Sequence, residues 1–446
     1  MTKYLIIIIS AVCSVAFYLF APLEENVVKG LSILLFIAAL WLTEALPITV
    51  TALMVPVLAV ITGIFNVKDA LSYFAHPIIF LFLGGFGLAA ALHKYSLDEL
   101  FAGYIMKAAG TKMLYSILGL FVSTAVLSMW ISNTATTAIM LPVALGLIAS
   151  LKEKNTANET FILLGVAYSA NIGGIGTIIG SPPNAITAAN LGLSFSEWLR
   201  IGIPAVLVLF PIMIVVLYFK LRPKLPEVST IRKTTVELVF SNPKSYKVAI
   251  IFAITVLLWL FSKPLSSLLG IGRNFDSIIA VFAIILLVLF RTIRWKEVER
   301  FTDWGVLLLF GGGLVLSGIL GETGASRYLV GLVESDMSTY GLFILILGAV
   351  TLMIFLTEFA SNTASAAIMV PIFLTLGNEL SLASPEVLAL SAGIAASCAF
   401  MLPVATPPNA LVYGTERIKQ RTMIKTGIVL NIISALVIAV MAYFII

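Results

Sequence analysis

Stretches of about 20 apolar residues recur along this 446-residue chain from end to end. The hydrocarbon core of a bilayer is ~30 Å thick, and ~20 helical residues cross it. With 60% of its residues hydrophobic and 11% charged, the chain has too thin a polar coat for a water-soluble domain. Backbone in lipid must satisfy its own hydrogen bonds, so the spans are expected to be helices. Eleven crossings are expected, at 4–22, 29–46, 48–66, 76–93, 158–190, 200–220, 247–262, 274–291, 304–321, 386–412 and 423–445. The first run follows Lys3 like a signal peptide. No clear small-x-small site follows it and many spans do, so it is read as a retained helix.

Two further apolar stretches, 113–151 and 339–377, are each broken by a polar trio. SNTATTAIMLP begins at Ser132 and SNTASAAIMVP at Ser361, with eight of eleven positions identical. Both stretches are read as re-entrant hairpins that return to the side they entered. With the N-terminus inside, 21 of the 27 Lys and Arg then fall inside and 6 outside. This bias orients the chain. It predicts a cytoplasmic N-terminus, an outside C-terminus and hairpins on opposite sides of a plasma membrane (the inner membrane if bacterial). The net charge of +5 is read as topology signal, not as a nucleic-acid footprint.

The chain repeats itself. The SNT motifs lie 229 residues apart, and IGSPPNAI at 179–186 pairs with VATPPNAL at 404–411. FLGGFGL at 82–88 resembles LFGGGLVL at 309–316. The expected layout is an extra N-terminal helix (1–28), a first repeat (29–221), a basic cytoplasmic linker (222–246) and a second repeat (247–446). Hairpin 113–151 and broken helix 158–190 belong to the first repeat, and 339–377 and 386–412 to the second. An odd number of crossings per repeat inverts the second copy, and such repeats hold a site near the midplane where broken helices meet. A duplication kept only for packing would not concentrate its similarity at the polar breaks.

Irregular backbone at membrane depth must be buried in protein or line a cavity. SNT supplies hydroxyl and amide groups and the free N–H groups that open a helix. The tandem prolines of SPPN and TPPN break a helix and free carbonyls upstream. Helix N-termini suit anions, and carbonyl, hydroxyl and amide oxygens suit a hard cation such as Na+. Neither motif holds Lys or Arg, so an anion bound there needs mobile cations. Glu44 and Glu358 are the candidate membrane-embedded acids. A structural role is favoured for Glu44; Glu358 is left between a structural and a coupling role. His76, His93, Cys13 and Cys398 lie too far apart in sequence for a metal or catalytic constellation, which argues against an intramembrane enzyme.

On these paired SNT and [ST]PPN motifs, the chain resembles the divalent anion/sodium symporter family over nearly its whole length. The resemblance implies Na+-coupled symport of a C4-dicarboxylate such as succinate, malate or fumarate. It also admits dicarboxylate exchange without net Na+ flux, and carriage of citrate or sulfate. It implies Na+ as coupling ion without an organic cofactor, a homodimer in the bilayer, and elevator-like movement of a transport part against a scaffold. The first sodium site would comprise Ser128, Ser132, Asn133 and the carbonyl of Gly180. The second would comprise Thr357, Ala360, Asn362 and the carbonyl of Ala405. Substrate carboxylates would meet Asn133, Thr134 and Ser181 on one side and Asn362, Thr363 and Thr406 on the other, with Ser132 and Ser361 opening the two motifs.

Overall fold

Long apolar runs bond their own backbones, and the chain follows that rule. The computed structural model describes residues 2–109, 112–151, 155–224, 243–337 and 341–445, and every regular element among them is helical. The expected linker 222–246 lies mostly outside the described residues. Helix α1 (Thr2–Phe20) packs on α2 (Glu25–Thr43), with Ser14 Oγ donating to Ser32 O at 2.7 Å.

The first half continues with α3 (Ile48–Ile61), α4 (Val67–Ser72), α5 (Pro77–Lys94) and α6 (Leu97–Ala109). Hairpin arms α7 (Met113–Ser128) and α8 (Asn133–Ala149) follow, then α9 (Thr156–Gly174), α10 (Pro182–Leu191) and α11 (Phe195–Leu221). The second half opens with α12 (Pro243–Leu260), α13 (Ser262–Leu268), α14 (Phe275–Leu289), α15 (Trp295–Phe301), α16 (Trp304–Glu322) and α17 (Ala325–Met337). Its hairpin is α18 (Leu342–Phe359) and α19 (Asn362–Glu379), followed by α20 (Val387–Ala395), α21 (Pro407–Tyr413) and α22 (Gln420–Ile445). Eight helical segments among the described residues are long and apolar enough to cross a membrane. Seven of these, with the shorter α3 and α14 and the broken pairs α9–α10 and α20–α21, account for the eleven expected crossings; the eighth, α18, is the first arm of the second hairpin.

The halves embrace reciprocally. Helix α3 packs on α16 while α14 packs on α5; α10 packs on α19 while α21 packs on α8. The two glycine-rich motifs lie at the first of these crossings. A Cβ on Gly84 would sit 2.4 Å from Ala280 Cβ, and one on Gly312 2.5 Å from Ala52 O. Small residues let helix backbones touch where lipid gives no hydrophobic drive for association. A second reciprocal pair supports the helix breaks. A Cβ on Gly202 of α11 would meet Ile175 O at 2.6 Å, and one on Gly427 of α22 would meet Phe400 O at 2.2 Å. These contacts press α11 and α22 onto the two irregular segments that the site needs.

Candidate functional site

Each SNT begins a helix. Ser132 is the N-cap of α8 (φ −55°, ψ 145°), its Oγ accepting from the Ala135 N–H at 3.3 Å. Ser361 takes the same position and nearly the same backbone (φ −57°, ψ 128°) before α19. The first N–H groups of both helices have no partner within the helix.

Behind each N-terminus, oxygens converge. The end of the Asn133 carboxamide placed as oxygen lies 2.6 Å from Ser128 Oγ, 3.1 Å from Ala170 O and 3.2 Å from Gly180 O. Ser128 Oγ is itself 2.7 Å from Ala170 O. Four oxygens so grouped suit a hard cation. Without one, the amide turned end for end brings its two N–H donors within reach of all three neighbours. The second half repeats the group: the Thr357 hydroxyl donates to Asn362 Oδ1 and lies 3.1 Å from Ala396 O. Ser128, Asn133 and Gly180 therefore meet as the sequence suggests, and so do Thr357 and Asn362. Ala360 caps α18 beside them, and Ala405 adjoins Thr406. The carbonyls of Ala170 and Ala396 are missed by the sequence reading, because no motif marks a backbone oxygen.

The [ST]PPN motifs hold the helix breaks open. Their prolines occupy the first helical positions of α10 and α21. Asn184 Nδ2 donates to Gly174 O at 2.8 Å and Thr177 O at 2.7 Å; Asn409 Nδ2 donates to Ala399 O at 3.0 Å and Leu402 O at 3.1 Å. Each asparagine thus ties off carbonyls at or beyond the end of the preceding half-helix.

Between the two halves is a cavity of about 1900 Å³. Ser132, Asn133, Thr134, Ser181, Ser361, Asn362, Thr363 and Thr406 all line it, as do Gly180 and Ala405. It extends to His93, Glu99, Ser150 and Asp303, near the loops to which the charge bias assigns the inside. Among the described residues, His93, Glu44, Glu99 and Asp303 are its ionisable lining, with no Lys or Arg. On the same face Lys94 Nζ lies 2.7 Å from Glu297, and this hydrogen bond holds the Glu297 carboxyl below its ordinary value.

Comparison with known proteins decides the family. A family model described as citrate transporter (CitMHS) matches residues 38–392. The chain is 48% identical to an uncharacterized transporter of Haemophilus influenzae over 431 residues, covering 95% of this chain and 92% of that one. It is 35% identical to the sodium-dependent dicarboxylate transporter SdcS of Staphylococcus saprophyticus over 463 residues, 96% of this chain and 88% of that one. The chain belongs to the divalent anion/sodium symporter family. It is a multi-pass membrane transporter, not an enzyme. Its fold is also that of the Alcanivorax borkumensis YdaH transporter crystal structure, at a TM-score of 0.62 and 12% identity, covering 94% of this chain and 99% of that one.

Two further features of the transporter's site escape motif reading. Glu358 is fully buried, and its carboxylate accepts from Phe400 N (2.7 Å), Met401 N (2.8 Å), Leu402 N (3.0 Å) and Asn431 Nδ2 (2.7 Å). Four donors satisfy the acid and hold the break between α20 and α21, which favours the structural side of the open reading. Glu44 caps α2 in the left-handed region (φ 47°) and lines the cavity. The halves also bond across their junction. Asn171 Nδ2 donates to Thr406 Oγ1 at 3.1 Å, and Ser181 Oγ lies 3.3 Å from Ser397 Oγ.

Proposed function

We propose that this transporter symports a C4-dicarboxylate with Na+. One observation carries the reading: a cavity whose described lining holds no Lys or Arg is flanked by two matching oxygen clusters. A helix N-terminus stabilises a negative charge by ~0.3–1 kcal/mol, and ~2 kcal/mol at most. Two such ends fall far short of the desolvation cost of a dianion. Sodium held by Ser128, Asn133, Ala170 and Gly180, and by Thr357, Asn362 and Ala396, supplies the missing charge. Sodium therefore binds first and creates the anion site. The two carboxylates then take Asn133, Thr134 and Ser181 at one end and Asn362, Thr363 and Thr406 at the other.

The repeated element order and reciprocal packing support an inverted repeat. In this reading the hairpins and broken helices form a transport part that moves as an elevator against a scaffold within a homodimer. With the orientation that the basic bias predicts, the cavity opens toward the cytoplasm in this conformation. Calorimetry on purified protein tests the mechanism: succinate binds in sodium buffer and fails to bind in choline buffer, and by linkage it tightens sodium binding by the same factor. Equal succinate affinity in both buffers sinks the sodium-first mechanism. Proteoliposome uptake that needs internal succinate but no sodium gradient would establish exchange instead, and stronger competition by citrate or sulfate would reassign the substrate.

A further inference from the structure

We propose that Asn171 is a positioning residue that fixes the Thr406 hydroxyl as a donor into the cavity, making the Thr406 end a rigid anion subsite and the Ser181 end an adaptable one. The inference rests on the reading that both hydroxyls meet the transported anion.

A hydroxyl has one hydrogen to give and two lone pairs to fill. Thr406 Oγ1 accepts from Asn171 Nδ2 at 3.1 Å and from the Asn409 backbone N–H at 3.2 Å. Both acceptor directions are taken, so the hydrogen is left to donate, and Thr406 lines the cavity. The orientation of Asn171 is fixed in turn. Its Nδ2 also lies 3.4 Å from Asn409 Oδ1. Asn409 spends its own amide N–H groups on Ala399 O and Leu402 O, so its Oδ1 faces Asn171 as an acceptor. Asn171 is 1% exposed, and its Oδ1 is buried without a hydrogen-bond partner. Such a group is costly in a folded protein. The donor end of the same amide is the part that the site uses.

The opposite junction is built differently. Ser397 faces Ser181 at 3.3 Å, and either hydroxyl can donate to the other. Unlike Thr406, Ser181 makes no side-chain bond to the N-terminus of the helix it caps. Its hydroxyl is therefore free to turn between Ser397 and a ligand. A donor already aimed at its acceptor loses no freedom when the ligand binds, which favours the Thr406 end for the carboxylate held most tightly.

A double-mutant cycle read by succinate calorimetry in saturating sodium tests this. Asn171→Ala is expected to weaken succinate about tenfold, as the aimed hydrogen bond is lost. Sodium half-saturation without succinate should stay unchanged. Thr406→Ala should cost at least as much, and adding Asn171→Ala to it should cost nothing further. Asn171→Ala and Ser181→Ala should instead multiply their losses. Asn171→Ser, whose side chain is too short to reach Thr406, should reproduce the pattern if the alanine variant does not fold. If Asn171→Ala costs the same factor with and without the Thr406 hydroxyl, the inference is wrong while the proposed function stands. If the parent binds neither succinate, citrate nor sulfate in sodium, both fall.

Discussion

Asn133 and Asn362 each lie against a hydroxyl five residues earlier in the chain, and that hydroxyl reaches a carbonyl of a broken helix. Each would give its oxygen to sodium, so Asn133→Ala and Asn362→Ala remove one contact to a charged group, worth roughly 1.5–3 kcal/mol. The sodium concentration for half-maximal binding should rise about tenfold or more in each variant. Titration of purified protein with sodium, followed by tryptophan fluorescence, measures this; a variant that titrates like the parent removes that asparagine from the sites. The spacing of these residues was legible because Ser128 and Asn133 are neighbours across one chain break. Their partner Ala170 O is 42 residues from Ser128, and any of many carbonyls could have filled that place.

At the scale of elements, close helix crossings explain motifs whose role the residues alone leave blank. Gly84 of α5 meets Ala280 of α14, and Gly312 of α16 meets Ala52 of α3. Gly348 of α18 has open space where its Cβ would go. Alanine is the better helix former by roughly 0.5–1 kcal/mol, so Gly348→Ala should be neutral or stabilising. Gly84→Ala and Gly312→Ala should instead destabilise by about 1–3 kcal/mol through overpacking. Thermal unfolding in detergent checks the opposite signs, and equal shifts in all three variants would show that these crossings tolerate a methyl group. The helix breaks obey a similar division. Proline pairs announce them in sequence, yet the loops are held by Trp198 Nε1 on Ile175 O at 2.9 Å, Tyr168 OH on Phe400 O at 2.5 Å, and Glu358.

For the whole molecule, the basic bias predicts one direction in the membrane, in which the cavity's reach toward His93, Glu99 and Asp303 faces the inside. Cys13 lies exposed on α1, and Cys398 is buried, so replacing Cys13 leaves the introduced thiol as the accessible one. In a Cys13→Ser background, Lys296→Cys should therefore be labelled by an impermeant maleimide only in inside-out vesicles. Ser381→Cys, just beyond the second hairpin on the side that the basic bias assigns to the outside, should be labelled only in intact cells. Labelling of both from one side would overturn the opposed hairpins and the inverted repeat with them.

Apolar run length, basic bias and paired polar breaks were enough, without coordinates, to indicate the membrane class, the order of the helices and the residues that open each hairpin. Those features act locally: a helix forms where its own backbone must be satisfied, and a proline pair sits in its first turn, where no intrahelical bond is lost. Tertiary structure alone decided which carbonyls join Asn133 and Thr357, which donors satisfy Glu358, and that Asn171 reaches Thr406 across 235 residues of chain. A buried hydrogen bond has no sequence distance. Its partners are chosen by how the two halves pack, and one asparagine among many polar side chains carries no mark of that choice until the packing brings it beside its threonine.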